Sequence, residues 1–313
     1  MNTSIQRLTL LHARLLVLIL PFIFGSCSKE NISDGPVPLN DPELFTYNGL
    51  QSGLYPWGNE PQDNAFESNY MAACGLVKSL SDNNLVAAQN KVVVLGIGGS
   101  NPGIIFDGFI HAQQNDPGFG QNLLFLNGGI ESQDFSNLLN PQDNYWSQMT
   151  NLLSSNHVSA SDVSVIFCIE DNLSLRDTSF QRALDLKANY ISLLDIIRDK
   201  FPNCKLMLLG DRGYSGYSTD PKHQEPVGYL NGWAVKMVIA DYINNALPQY
   251  PVVNWLDYYW ANGETPRWDG LTYSETDFHA PDYVHFTQEK ADALAASTHA
   301  RLKADPGASL WYR

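Results

Sequence analysis

The chain has 313 residues, 44% of them hydrophobic and 17% charged, with a formal net charge of −14. That length and apolar content suit one medium globular domain with a real core and exclude disordered and fibrous classes. So acidic a protein is repelled by nucleic acid, and no basic stripe offsets the charge.

The N-terminus reads as a targeting segment. Arg7 and Arg14 precede a short apolar run, Leu15 to Phe24, interrupted by Pro21. A charged start, an apolar core and small residues predict a secretory signal over 1–26. The run is too short for a comfortable membrane span of about 20 residues. Phe24-Gly25-Ser26-Cys27 resembles a bacterial lipobox, in which the Cys becomes the lipidated first residue of the mature chain. Phe24 stands where that motif most often has Leu, and ordinary cleavage with Cys27 incidental is the alternative. Lipidation would hold the protein to a bacterial membrane, in the periplasm or at the cell surface. Loss of 1–26 removes two Arg and no acids, so the mature charge becomes 17 − 33 = −16.

Residues 27–42 are polar, with Pro36, Pro38 and Pro42, and predict a flexible tether. The domain is expected over 43–313, with its core over 91–303. Residues 43–90 form a lead-in with one helix around Asn64–Leu80. From Lys91 onward, short apolar runs alternate with helical patterns. The predicted strands are Lys91–Ile97, Asn122–Asn127, Val163–Ile169, Lys205–Gly210 and Val252–Leu256. The predicted helices are Tyr145–Asn156, Thr178–Lys200, Gly228–Ala246 and Thr287–Lys303. The second of these shows Leu184, Ala188, Ile191, Leu194 and Ile197 at helical spacing, and the last starts on Thr287 as cap.

Uninterrupted apolar strands are buried on both faces, and strand–helix alternation builds βαβ units. The expected fold is a three-layer α/β/α sandwich with a central parallel sheet, flavodoxin-like, of strand order 2-1-3-4-5. Its working loops lie beyond the C-terminal strand ends. Cys168 falls in an apolar strand and reads as core. Cys74, Cys168 and Cys204 cannot all pair within the chain, and no Cys-x-x-Cys spacing points to a metal.

The first strand runs into Gly96-Ile97-Gly98-Gly99-Ser100-Asn101-Pro102-Gly103. A dinucleotide fingerprint would need glycine at Asn101 and an acid where the second strand ends in Asn127. A phosphate-binding loop would need Gly-Lys-Ser/Thr, which is missing. The third reading is a serine nucleophile on a tight strand-to-helix turn, its hydroxyl and backbone N–H facing one carbonyl. Near the C-terminus stands Asp282-Tyr283-Val284-His285-Phe286-Thr287. An Asp three residues before a His can reach back to orient the imidazole, whose other nitrogen then deprotonates a serine. Asp277 and His279 form a decoy pair at the wrong spacing.

A Gly-x-Ser-Asn loop after the first strand, with Asp-x-x-His before the last helix, resembles the SGNH (GDSL-like) hydrolases. The stretch Asp282–Ala295 is very similar to that family's last block. The resemblance covers Lys91 to Lys303 and implies Ser100, His285 and Asp282 as catalytic residues, with no cofactor. It further implies two oxyanion donors, a Gly backbone N–H after the second strand and an Asn amide after the third. Here Ser132 replaces the donor Gly, and Gly129 is the fallback donor. After the third strand, in Ile169-Glu170-Asp171-Asn172, Glu170 aligns with the Asn without a gap, and Asn172 aligns after a one-residue slip. A carboxylate would repel a developing oxyanion, so an active enzyme calls for Asn172, with Glu170 at the surface.

The fourth loop holds Arg212, Tyr214 and Glu225, and the fifth strand leads into Tyr258-Tyr259-Trp260, then Trp268. Arg212 could hold an anionic or hydroxyl-rich group, and aromatic faces stack on sugars. Asn101, Arg212, Tyr214 and Trp260 are therefore the substrate-binding candidates. This segment also resembles a little-characterised bacterial lipoprotein branch of the same family. The expected function is an exported serine esterase acting on a small acyl ester, with an acetylated polysaccharide as the expected substrate. A catalytically impaired glycan-binding protein, or a lipid or thioester acyl hydrolase, is the rival.

Overall fold

The computed structural model describes residues 36–61, 64–82, 91–120 and 122–313. The expected signal, Cys27 and the tether up to residue 35 lie outside the described residues. A two-stranded hairpin, β1 (Thr46–Tyr47) and β2 (Leu50–Gln51), opens the domain. The helix α1 (Asn64–Asp82) follows. Then come β3 (Val92–Gly98), α2 (Ser100–Gln114), β4 (Leu123–Gly129), α3 (Phe135–Leu138) and α4 (Asn144–Ser155). The chain continues through β5 (Val163–Ile169), α5 (Gln181–Lys200), β6 (Leu206–Gly210) and α6 (Val227–Ile243). It ends with β7 (Val252–Asp257) and α7 (Gln288–Ala304).

The five later strands form one parallel sheet in the order β4-β3-β5-β6-β7. This is the expected 2-1-3-4-5 order. Right-handed crossovers put α2, which turns back to β4, on one face, and the onward crossovers α4, α5 and α6 on the other. Accordingly α2 packs on α7 and α5 on α6. Every residue of β3 and β5 is buried, as two-sided coverage requires. A ring cluster under α2 links Phe109 to Phe167 and Phe125, with centroids 5.4 and 5.8 Å apart.

The expected face of α5 holds at its C-terminal half, where Leu194 and Ile197 are buried, but Leu184 is 41% exposed and Ala183, Leu186, Tyr190 and Leu193 are buried beside them. The tether also ends earlier than expected. Leu39 is fully buried and its N–H donates to the Tyr258 hydroxyl at 2.9 Å, so docking begins before Pro42. Lys236 on α6 holds this lead-in. Its Nζ donates to the carbonyls of Ser52, Gly53 and Tyr55 at 3.0, 2.6 and 3.1 Å. Cys74, Cys168 and Cys204 are buried and free. Among the described residues, no helix is long and apolar enough to cross a membrane.

Candidate active site

The site forms where β3 hands over to α2. Gly98 takes φ of +152°, and a Cβ there would come within 2.3 Å of the Ile169 carbonyl oxygen. Only glycine lets the chain turn this tightly beside β5. Gly129 and Gly103 touch backbone to backbone, which seats α2 against the end of β4. Ser100 thus becomes the first residue of α2, where unpaired backbone N–H groups and the helix dipole favour negative charge.

The loop from Ser274 to Thr287 brings His285 across the sheet end. Thr287 caps α7, its Oγ1 accepting from the Lys290 N–H. His285 Nε2 lies 2.8 Å from Ser100 Oγ. Asp282 is on the far side of the ring, its Oδ2 3.8 Å from Nδ1, beyond hydrogen-bond length. Asp282 Oδ1 accepts from the Val284 N–H at 3.1 Å. His285 and Asp282 are 33% and 49% exposed, so this part of the cleft is wet.

Asn101 lines the cleft, and its amide is held by the loop that bears His285. Its Nδ2 donates to the Val284 carbonyl at 2.6 Å, and its Oδ1 accepts from the Phe286 N–H at 3.0 Å. Both ends of the amide are engaged by the residues flanking His285. Asn101 therefore ties the imidazole loop to the helix that carries Ser100.

The other wall comes from the loops after β4, β5 and β6. The cleft is lined by Gly99, Ser100, Gln133, Glu170, Arg212 and His223, among others, and its volume is about 50 Å³. Glu170 is not at the surface. It is 5% exposed and it lines the cleft. Tyr190 bridges its backbone, accepting from the Glu170 N–H and donating to its carbonyl, and Asn231 Nδ2 donates to that carbonyl at 2.7 Å. Glu170 is consequently a fixed feature of the strand end.

Asn172 is turned away. Its Nδ2 donates to Asn189 at 2.8 Å, and its Oδ1 accepts from the Ser174 N–H at 3.0 Å. The physical reason lies in the residue between. Asp171 is pulled into an ion-pair network with Arg182 at 2.7 Å and Arg212 at 2.5 Å. That fixes the chain direction and delivers Asn172 to α5 instead of Ser100. Gly129, the fallback donor, is also engaged, its N–H donating to Asn127 Oδ1 at 2.9 Å. Ser132 is exposed with φ of +63°, the left-handed conformation that glycine adopts freely. Gln133, next in the chain, reaches the cleft lining.

Arg212 lines the cleft, yet its guanidinium is occupied. Nη1 donates to Asp171, and Nη2 meets His223 Nδ1 at 3.2 Å. Burial opposes the charge on Asp171, but Arg212 and Arg182 win and hold its carboxyl below the ordinary range. A guanidinium only donates, so His223 Nδ1 accepts and the neutral ring carries its proton on Nε2. Burial, then the Arg212 charge, lowers His223 to about 4, consistent with that form.

The aromatic candidates belong to a packed wall. Trp260 is fully buried, and its Nε1 donates to Glu225 at 3.0 Å. Tyr214 stacks on Tyr273 at 5.8 Å, and Tyr273 on Phe286 at 5.9 Å. Neither Tyr214 nor Trp260 lines the cleft; the cluster backs the loop that bears His285. Trp268, at 62% exposed, is outside that wall. Among the described residues, no group of three His, Cys, Asp or Glu side chains is arranged to hold a metal ion.

No protein-family model matches the chain, and no curated protein matches it. Among solved structures it is similar to the salicylyl-acyltransferase SsfX3 from a tetracycline biosynthetic pathway. That match has 15% identity and a TM-score of 0.37, over 67% of this chain and 53% of that one. The match therefore spans about half the length of that acyltransferase. The chain is also similar to the C-terminal catalytic domain of the Streptococcus pneumoniae peptidoglycan O-acetyltransferase A. There the identity is 14% and the TM-score 0.35, over 68% of this chain and 93% of that one.

Proposed function

We propose that the protein is an SGNH-type serine esterase that cleaves small acyl esters through an acyl-enzyme on Ser100. The observation that carries this reading is the 2.8 Å approach of His285 Nε2 to Ser100 Oγ, at the N-terminus of a helix. In the first step His285 takes the hydroxyl proton as Ser100 attacks the carbonyl, and the alcohol leaves with that proton. Water then repeats the sequence on the acyl-enzyme. Asp282 orients the imidazole at long range. The chemistry needs no cofactor.

The size of the cleft supports a short acyl group. The cleft beside Ser100 offers about 50 Å³ and is open to solvent on one side, so it admits a small acyl group such as acetyl. With Trp260 buried and Tyr214 packed, a sugar-stacking platform no longer supports a polysaccharide substrate. The acetylated-polysaccharide reading therefore rests on the export signal. Lipid attachment at Cys27 belongs to the same reading, and palmitate labelling lost in Cys27→Ser would test it.

A second reading is favoured by one observation. The Asn172 and Gly129 donors are both engaged elsewhere, as expected of a binding protein that retained the fold. Nitrophenyl acetate, butyrate and octanoate assays on wild type and Ser100→Ala separate the two. Turnover that depends on Ser100 and falls with acyl length supports the esterase. Equal rates for wild type and Ser100→Ala on every ester overturn it.

A further inference from the structure

The cleft contains a buried acid that the steps above leave unused. Glu170 Oε1 accepts from the Asp171 N–H at 2.9 Å. Glu170 Oε2 is buried and, among the described residues, has no hydrogen-bond partner. A side chain placed on Gly99, next to the nucleophile, would meet Glu170 Oε1 at 3.7 Å. An oxygen without a partner is costly in a protein interior unless it serves a ligand.

We propose that Glu170 is the oxyanion donor of this site, its carboxyl protonated and offering that one O–H to the substrate oxygen beside Ser100. This rests on the esterase reading above. An ionised Glu170 would repel the oxyanion, while the protonated form offers the same single donor that an amide would. As Ser100 Oγ bonds to the carbonyl carbon, the C=O pair moves onto oxygen and the hydroxyl proton passes to His285. Glu170 keeps its own proton throughout and shares it with that oxygen as a hydrogen bond. Collapse of the tetrahedral intermediate returns the pair to C=O and expels the alcohol with the His285 proton.

The surroundings favour the protonated form. Burial pushes the Glu170 carboxyl well up, and the Asp171 and Asp134 carboxylates push it further. The opposing groups are the Asp171 N–H and the Arg212 charge. Arg212 is itself paired with Asp171 and faces a neutral His223. The remaining titratable neighbours, Cys168 on β5, Tyr145 on α4 and Tyr190 on α5, are buried and themselves pushed up. None supplies a positive charge.

The test uses the purified chain, nitrophenyl acetate and a fluorophosphonate that labels the serine. Glu170→Gln keeps an acceptor for the Asp171 N–H and a donor in place of Oε2. It should hold kcat/KM within about threefold of the wild-type maximum. Glu170→Leu cannot donate and should lose about 10²–10³-fold in kcat. Wild-type kcat/KM should fall at alkaline pH as Glu170 ionises, and Glu170→Gln should lack that fall. Thermal stability gives an independent reading. The folded carboxyl holds its proton above the unfolded range of about 4.3, so wild-type stability declines with rising pH across that window. The stability of Glu170→Gln should not, and the gap should widen with pH even if Glu170→Leu fails to fold. Glu170→Leu within threefold of wild type, or an alkaline fall shared by Glu170→Gln, overturns the proposal while Ser100 still labels. Loss of both labelling and Ser100-dependent turnover overturns the esterase reading itself.

Discussion

On one wall of the cleft, Ser100 and His285 meet at 2.8 Å although 185 residues separate them. On the other, β5 ends in Glu170 where an amide was expected, and the nearest amide, Asn172, serves α5 instead. The first wall is assembled from backbone geometry. A glycine turn starts α2, a threonine cap starts α7, and Asn101 bridges the two. The second wall is assembled from buried charge. Asp171 pairs with both Arg182 and Arg212, which ties up its carboxylate and leaves the Glu170 side chain on the cleft wall. Local turn chemistry sets the approach of His285 to Ser100, whereas a long-range ion-pair network sets which side chain stands opposite them.

The largest expected effect falls on the first wall. Ser100→Ala should lower kcat on the order of 10⁴–10⁶-fold while the fold persists, checked by ester turnover beside circular dichroism. A residual rate within tenfold of wild type would mean that the geometry of this wall is incidental. Asn101 and Asp282 then grade the supports of His285. Asn101→Ala removes both hydrogen bonds that fix the His285 loop, so kcat should fall about 10–10²-fold with KM nearly unchanged. A larger change in KM than in kcat would return Asn101 to substrate binding. Asp282→Asn should cost about tenfold, far less than the roughly 10⁴-fold known for a buried, hydrogen-bonded aspartate. The reason is its 3.8 Å separation and 49% exposure. A loss of 10³-fold or more would mean that the pair closes on substrate.

The sheet was legible in the sequence because its strands are covered on both faces and so stand out as apolar runs. Alternation predicted a parallel sheet, and its order was taken as that of flavodoxin-like folds, since alternation alone does not fix it. The phase of α5 was legible only at Leu194 and Ile197. Its buried stripe includes Arg182, which is fully enclosed by pairing with Asp171, and no apolar pattern marks such a residue. Ser100 and His285 were visible because each sits in a short motif whose purpose is local. Glu170 was visible only as an ambiguity. Which of three consecutive polar residues enters the cleft depends on partners 11 and 41 positions away, as the Asp171 contacts show. His223 and Gln133 carried no signal beyond their loops. The aromatic richness after β7 was real, but composition does not tell a ring that stacks on a ligand from one that packs beneath a loop.

That last distinction supplies the smallest expected effect on catalysis and the sharpest contrast between wall and backing. Trp260 fills a site beside Tyr214 and Tyr229, with ring centroids 6.4 and 4.9 Å away, and its indole N–H donates to Glu225. The Glu225 carboxylate is buried there, and it also accepts from the Ser215 and Tyr229 N–H groups. Trp260→Phe keeps most of the packing but leaves a small void and removes one donor from a buried acid. The cost should be about 1–3 kcal/mol. Thermal unfolding should therefore shift down by several degrees, and ester kcat/KM should change less than about twofold. If instead KM for an acetylated polysaccharide rose tenfold with no loss of stability, Trp260 would be a ligand platform after all. The aromatic wall would then have to open toward the cleft when substrate binds.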